Sequence, residues 1–215
     1  MATSATERDS RILPAMLDDS SRDLLELIRR RFREGCGDTG FSEPMAPDGA
    51  LTPAAVLVPI VMRESGLTIL LTQRTAHLRD HAGQVSFPGG RCESDDAHPE
   101  ATALREAHEE VGIHPGQVEV IGRLPEYRTG TGFQVIPVVG LIRPPLNLRL
   151  DDFEVADVFE PPLEFLLDTA NHQRKQIEID GTQHEFWAMP WQGYYIWGAT
   201  AGMLVSLRRF LVPAS

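Results

Sequence analysis

Three glutamates at helical spacing are the residues of this sequence best suited to chemistry. Glu106, Glu109 and Glu110 occur in one short segment, Arg105–Val111. On an α-helix, positions i, i+3 and i+4 share a face, so these carboxylates converge within an arc of about 100°. Each pair repels by about 4 kcal/mol at about 4 Å and an effective dielectric constant near 20. A hard divalent cation with oxygen ligands would relieve the repulsion, which favours Mg²⁺ or Mn²⁺ over Zn²⁺.

The alternative interpretation is an acidic helix face that is merely solvated, which is how most charged runs occur. The surrounding sequence favours a site. Upstream, a glycine pair follows Phe87-Pro88, and such a pair lets a backbone carbonyl, here that of Gly89, approach a ligand closely. Arg105 lies four residues before Glu109 and can hold its carboxylate in place. We therefore interpret the three glutamates as metal ligands.

A mixed succession of strands and helices must position these residues. The valine-rich run 54–62 and the apolar run 67–72 predict strands joined by a turn at 64–66. The helix with the glutamates is predicted over 99–111, ending at Gly112. Further strands are predicted at 84–87, 118–124, 134–142, 155–159, 176–179 and 184–188, and helical segments at 163–167 and 195–210. This order predicts an α/β/α sandwich with a mixed sheet.

The length of 215 residues fits one domain with additional N-terminal material. We predict a mobile N-terminal segment over residues 1–50, with a linker and one helix that is capped by Ser20 or Ser21 and ends near Glu34. The compact domain is predicted over residues 51–215.

Composition excludes several classes of partner. A net charge of -11 argues against nucleic acid, and no apolar run is long enough to cross a membrane. The first eleven residues do not resemble a signal peptide, and Cys36 and Cys92 are interpreted as reduced thiols. We therefore expect a cytoplasmic protein.

Residues Gly90 to Ile113 resemble the Nudix box, Gly-x5-Glu-x7-Arg-Glu-U-x-Glu-Glu-x-Gly-U, in which U is a bulky apolar residue. The second half matches as Arg105-Glu106-Ala107-His108-Glu109-Glu110-Val111-Gly112-Ile113. In the first half, Asp96 occupies the acidic position, and one extra residue separates it from the arginine. The resemblance implies a Nudix-type α/β/α sandwich and a pyrophosphatase that cleaves a nucleoside diphosphate linked to another group.

The resemblance also implies roles for individual residues. Mg²⁺ or Mn²⁺ would be held by Glu106, Glu109 and Glu110, with the Gly89 carbonyl as a further ligand. Arg105 is expected to support catalysis through Glu109. The general base is open between Glu106 and an acid of the loop 151–154, of which Glu154 is the preferred candidate.

Residues Leu70–Gly90 resemble the signature of the coenzyme A pyrophosphatase branch, Leu-Leu-Thr-x-Arg-(Ser or Ala)-x3-Arg-x3-Gly-x3-Phe-Pro-Gly-Gly. Thr75 in the Ser/Ala position is the visible departure. The implied reaction yields 3′,5′-adenosine bisphosphate and 4′-phosphopantetheine. Arg74 and Arg79 are expected to bind anionic parts of the substrate, such as the 3′-phosphate. Each could instead pair with a nearby carboxylate such as Asp80.

Two alternatives stay open. One is a Nudix pyrophosphatase acting on another nucleotide derivative, such as NADH or ADP-ribose. The other is a nucleotide sensor without turnover, against which the intact set of glutamates counts. In each case the partner is a small-molecule nucleotide, and a homodimer is one option for the assembly.

Overall fold

Strand β2 (Thr52–Arg63) is the centre of the main sheet. The computed structural model describes residues 17–35, 41–42, 49–77, 82–179 and 181–212. In it, β2 pairs in parallel with β9 (Phe133–Ile142) and antiparallel with β3 (Gly66–Ile69) and β6 (Gly89–Arg91). Because β2 has both kinds of neighbour, the sheet is mixed, which confirms the prediction.

Strand β9 connects β2 to the remaining strands of this seven-stranded sheet. It pairs antiparallel with β7 (Val118–Arg123) and with β8 (Tyr127–Arg128), and β8 in turn pairs in parallel with β1 (Phe41–Ser42). The β1–β8 and β2–β9 pairs join strands far apart in the sequence, so tertiary pairing decides the strand order.

The alternation of side chains along β2 divides the core into two layers. On one face, Ala55, Leu57 and Val61 pack against α2 (Pro99–Val111), through Ala103, Ala107 and Val111. On the other face, Val58 and Ile60 share a cluster with α1 (Asp19–Glu34) and α4 (Gly198–Leu211), through Ile28, Leu204 and Leu207. Helices therefore cover both faces of the sheet, as an α/β/α sandwich requires.

Two small sheets, a short α-helix and two 3₁₀ helices (Pro115–Gln117 and Thr169–Asn171) complete the described structure. In the first sheet, β4 (Leu71–Arg74) lies between β10 (Val155–Phe159) and β5 (Val85–Ser86). The second consists of β11 (Gln173–Ile179), β12 (Thr182–Trp191) and β13 (Tyr194–Trp197). Helix α3 (Leu163–Leu167) follows β10. No helix in the described ranges is both long and apolar enough to span a membrane.

Two of the differences from the sequence predictions change which elements form. The run 67–72 divides at Leu70, whose amide donates to the Pro59 carbonyl (3.1 Å), so that β3 and β4 belong to different sheets. The helix predicted over 195–210 begins only at Gly198, because the residues before it form β13 on the edge of β12. Gln192 and Gly193 turn the chain there with φ of 44° and 91°.

Helix α1 packs into the same core as the sheet. Its cap is Asp18, whose carboxylate accepts from the Ser21 amide (2.8 Å), rather than Ser20 or Ser21 as predicted. Leu25 and Ile28 are buried, and the Phe32 ring lies 4.5 Å from that of Phe210 on α4. The part of the predicted N-terminal segment over residues 1–16 lies outside the described residues.

Candidate active site

Helix α2 presents the glutamates because both of its ends are fixed. The His98 ring accepts a hydrogen bond from the Ala101 amide (3.2 Å), and Pro99 begins the helix. Gly112 ends it at a φ of 76°, in the left-handed region that favours glycine. Ala103 and Ala107 of α2 pack against the sheet, so the glutamates lie along the margin of that packed face.

Glu110 is the most buried acid of the group, at 5% exposure. One carboxylate oxygen accepts from the Gly89 amide (3.2 Å), and the other lies 3.8 Å from the Arg74 guanidinium. Burial raises the pKa of Glu110 to about 8, although the Gly89 hydrogen bond and Arg74 act in the opposite direction. The neighbouring Glu106 and Glu154 carboxylates contribute to this increase in pKa.

Glu106 faces the second glycine of the pair. A Cβ atom added at Gly90 would lie 2.5 Å from a Glu106 carboxylate oxygen, so any larger residue there would displace this acid. Burial raises the pKa of Glu106 as well, against the opposing effect of Arg105. The glycine pair of β6 therefore brings the backbone into contact with two acids of α2.

Arg105 holds the acidic side chains in place. Its guanidinium donates to both carboxylate oxygens of Asp96 (3.2 and 2.9 Å), to Glu106 (2.9 Å) and to Glu109 (3.1 Å). It also donates to the Arg91 carbonyl (3.2 Å), which connects the helix to β6. The contact with Glu109 is the one that the spacing predicts.

The structure assigns a clear position to Asp96, the residue that departs from the box spacing. Its carboxylate also accepts from the Thr102 hydroxyl (2.8 Å) and the Glu93 amide (3.0 Å). The hydrogen bonds from Arg105 lower the pKa of Asp96 well below its usual range. Asp96 therefore orients Arg105, a role that the sequence analysis did not assign to it.

Glu109 is the most exposed of the three helix acids, with 58% of its side chain accessible. Its carboxylate shares one Arg105 nitrogen with Glu106. The structure thus brings Glu106 and Glu110 to the glycine pair directly, and links Glu109 to Glu106 through Arg105.

The loop before β10 brings Glu154 to the same region. The Asp151 amide donates to the Glu110 carbonyl (2.9 Å), and the Thr75 amide donates to that of Glu154 (3.0 Å). Arg74 lies between the acids, 3.8 Å from Glu110 and 3.6 Å from Glu154. Arg74 therefore lies beside the carboxylates of Glu110 and Glu154. Asp80, the partner considered from the sequence, and Arg79 both lie outside the described residues.

A cleft of about 390 Å³ opens beside the glycine pair. Its walls come from β2, β5, β6, β9 and the start of α4, where the Thr200 hydroxyl donates to the Val85 carbonyl (2.9 Å). Among the lining residues are Arg74, Gly89, Gly90, Arg91, Phe133 and Trp197. Sequence reasoning did not identify the contributions of Arg91 and Phe133, because the register of β6 and β9 on β2 is not visible in any local pattern.

The acids fit a hard divalent cation by their chemistry. In the described ranges, no three Asp, Glu, His or Cys side chains are already grouped as a metal site. Glu106 and Glu110 are nevertheless two adjacent carboxylates whose pKa values burial raises, so their charged forms lack a sufficient counter-charge. Oxygen donors in this setting suit Mg²⁺ or Mn²⁺.

Comparison with known proteins agrees with this chemistry. The NUDIX domain family model matches residues 51–178. A Nudix hydrolase named NudL from Enterobacter sp. (strain 638) is 49% identical over 154 residues, covering 72% of this chain and 80% of the relative. NudL from Escherichia coli (strain K12) is 50% identical over 155 residues, with the same coverage of 72% and 80%.

Two solved structures can be placed beside this one. The NUDIX domain of Shewanella oneidensis NrtR, complexed with ADP ribose, is 20% identical, with a TM-score of 0.49 and coverage of 79% of this chain and 94% of that one. The Ap4A hydrolase of C. elegans is 21% identical, with a TM-score of 0.45 and coverage of 52% and 80%. The family match and the two NudL relatives together show that this chain belongs to the Nudix hydrolases and is a pyrophosphatase of that family.

Proposed function

We propose that this Nudix hydrolase cleaves the pyrophosphate of coenzyme A or its derivatives, releasing 3′,5′-adenosine bisphosphate and 4′-phosphopantetheine. The main support is where the residues of the coenzyme A branch signature lie. Arg74, Phe87, Gly89 and Gly90, at fixed positions of that signature, line the cleft beside the acids, and so do Gln84 and Ser86 from its variable positions. The stretch that resembles the branch is therefore the stretch that a bound nucleotide would contact.

The proposed cation site consists of Glu106, Glu109 and Glu110, with the Gly89 carbonyl as a further ligand. Mg²⁺ or Mn²⁺ bound there would neutralise pyrophosphate charge and make a nearby water more acidic. Arg105 is the positioning residue, because it contacts Glu106, Glu109 and Asp96 together. Its contacts restrict the two glutamates before substrate arrives.

Arg74 and one carboxylate are proposed to act on the substrate itself. Arg74 lines the cleft and lies within 3.8 Å of Glu110, so its guanidinium can bind an oxygen of the pyrophosphate. Glu154, on the other side of Arg74, or Glu106 then accepts the proton of the attacking water. Arg79 belongs to the same signature, and we propose it as a second positively charged side chain that binds the substrate.

The test is a comparison of kcat/KM for coenzyme A, dephospho-coenzyme A, ADP-ribose and NADH in Mg²⁺ or Mn²⁺. Dephospho-coenzyme A lacks the 3′-phosphate and with it one charge-assisted contact, so it should be roughly 10- to 150-fold poorer than coenzyme A. Rapid hydrolysis of ADP-ribose or NADH with coenzyme A left intact would assign the enzyme to another substrate. Tight binding of coenzyme A without any product would indicate a sensor.

A further inference from the structure

We propose that Arg91, held over the ring of Phe133, binds a substrate phosphate that is separate from the pyrophosphate being cleaved. This inference rests on the proposed function, since it takes the ligand to be a nucleotide that carries such a phosphate, as coenzyme A does. Arg91 would then determine specificity without taking part in bond cleavage.

The register of β6 on β2 shows which way Arg91 points. Arg91 pairs with Ala54, and Gly90 pairs with Ala55. Ala55 packs in the cluster with α2, whereas Ala54 lines the cleft. Since successive residues of a strand point to opposite faces, Gly90 faces the Glu106 carboxylate and Arg91 faces the cleft.

Phe133 lies on the same face and restricts the arginine. Its β9 neighbour Val135 pairs with Ala54 and also lines the cleft. The Arg91 guanidinium carbon lies 5.4 Å from the centre of the Phe133 ring, within the range of a cation–π contact. At the backbone, the Arg91 carbonyl accepts from Arg105 (3.2 Å). Both ends of the residue are therefore positioned before a ligand binds.

The charge of Arg91 is available to a ligand. Arg74, the other arginine among the described residues that line the cleft, lies between Glu110 and Glu154. Within the ranges that the structure describes, the Arg91 side chain has no carboxylate partner and no hydrogen-bond acceptor. A guanidinium with free donors in a fixed plane suits a phosphate monoester, which it can bind with two hydrogen bonds.

The Arg91 side chain points away from the acids, so the phosphate that it would bind lies apart from the pyrophosphate that is cleaved. Glu106 and Glu110 lie against Gly90 and Gly89, on the α2 side of β6, while Arg91 extends into the cleft. In a nucleotide whose pyrophosphate lies at those acids, Arg91 would contact a group farther along the molecule. The 3′-phosphate of coenzyme A is such a group.

The experiment is calorimetric titration of the full chain with 3′,5′-adenosine bisphosphate and with AMP, without added divalent cation. The wild type should bind the bisphosphate more tightly by about 10- to 150-fold, the range of one charge-assisted contact. Arg91→Ala should abolish this ratio of the affinity for the bisphosphate to the affinity for AMP, while AMP binding stays nearly unchanged. Arg91→Lys should retain part of the ratio. Arg143→Ala is the matched control, because Arg143 follows the far end of β9 and does not line the cleft.

Two results would overturn the inference: equal binding of both nucleotides by the wild type, or an unchanged ratio in Arg91→Ala. If Arg79→Ala removes the ratio and Arg91→Ala does not, the phosphate belongs to Arg79. Hydrolysis is not needed for these measurements. Loss of the ratio in Arg91→Ala, in an enzyme that leaves coenzyme A intact, would support the phosphate site while rejecting the proposed substrate.

Discussion

At the scale of single residues, the burial of Glu110 links the chemistry to the fold. A buried carboxylate without full compensation is costly, and an opposite charge is the usual remedy. The Gly89 amide and Arg74, 3.8 Å away, offset only part of that cost, since the pKa of Glu110 is raised to about 8. A bound cation would supply the remaining compensation, so this acid should be sensitive to substitution.

We predict that Glu106→Gln, Glu109→Gln and Glu110→Gln each lower kcat by at least about 100-fold, because each removes charge from the proposed cation site. The substitutions at Glu106 and Glu110 should be the most severe, since Glu109 is exposed and is linked to Glu106 through Arg105. Steady-state kinetics in saturating Mg²⁺ measures this, and circular dichroism verifies the fold. Glu100→Gln is the control, as Glu100 lies on the same helix but pairs with Arg123. Near-normal rates for all three variants would show that the glutamates of α2 do not take part in catalysis.

A second prediction concerns the positioning role of Arg105. Arg105→Ala should lower kcat by about 10- to 100-fold and weaken the dependence on Mg²⁺, because Glu106 and Glu109 lose their shared partner. Asp96→Asn should have a smaller effect in the same direction, because an amide oxygen can still accept from Arg105. The readout is kcat against Mg²⁺ concentration. Full activity with an unchanged Mg²⁺ profile in Arg105→Ala would make this arginine a surface charge only.

At the scale of elements, the parts specified by local sequence were predictable. Helix α2 was predicted with its observed bounds, because Pro99, the helical period and Gly112 lie within one continuous segment. The contact between Arg105 and Glu109 follows from the same period. Non-local pairing was not predictable: β3 and β4 form one apolar run in the sequence, yet they join different sheets. The aromatic residues of β13 extend the apolar period of α4, which concealed the strand.

An ion pair between two of these sheets gives a prediction on stability. Arg63 at the end of β2 donates two hydrogen bonds to Glu160, just after β10 (2.9 and 2.5 Å), and Thr68 of β3 donates a third (2.8 Å). Burial would raise the pKa of Glu160, but these hydrogen bonds outweigh it and the pKa lies below its ordinary value of 4.5. The ionised carboxylate therefore stabilises the folded state.

Arg63→Ala should lower the free energy of unfolding by about 1.5–3 kcal/mol at neutral pH. The pKa of Glu160 is depressed in the folded state. The stabilisation by its ionised carboxylate is therefore complete above pH 4.5 and is lost as the pH falls through the pKa of the folded state. Urea unfolding of both proteins at several pH values measures the difference, which should shrink in acid. A difference that is equal at pH 7 and well below pH 4.5 would show that the charge of Glu160 is not its cause.

At the scale of the whole molecule, one cleft joins the parts that the proposed reaction needs. The sheet and α4 supply its walls, β6 supplies the glycine pair, and the acids Glu106 and Glu110 of α2 lie against that pair. Helix α1 packs on α4 through Phe32 and Phe210, at a distance from the lining residues. Its contribution is therefore to the core, while the identity of the substrate depends on the cleft.

The most direct test of the central claim is to identify the products after incubating the full chain with coenzyme A and Mg²⁺ or Mn²⁺. Chromatography with mass detection should show 3′,5′-adenosine bisphosphate and 4′-phosphopantetheine in equal amounts, with the signal greatly reduced for Glu110→Gln. Equal amounts are expected because cleavage of one pyrophosphate yields one of each. Intact coenzyme A, under conditions in which the same preparation hydrolyses ADP-ribose or NADH, would contradict the account.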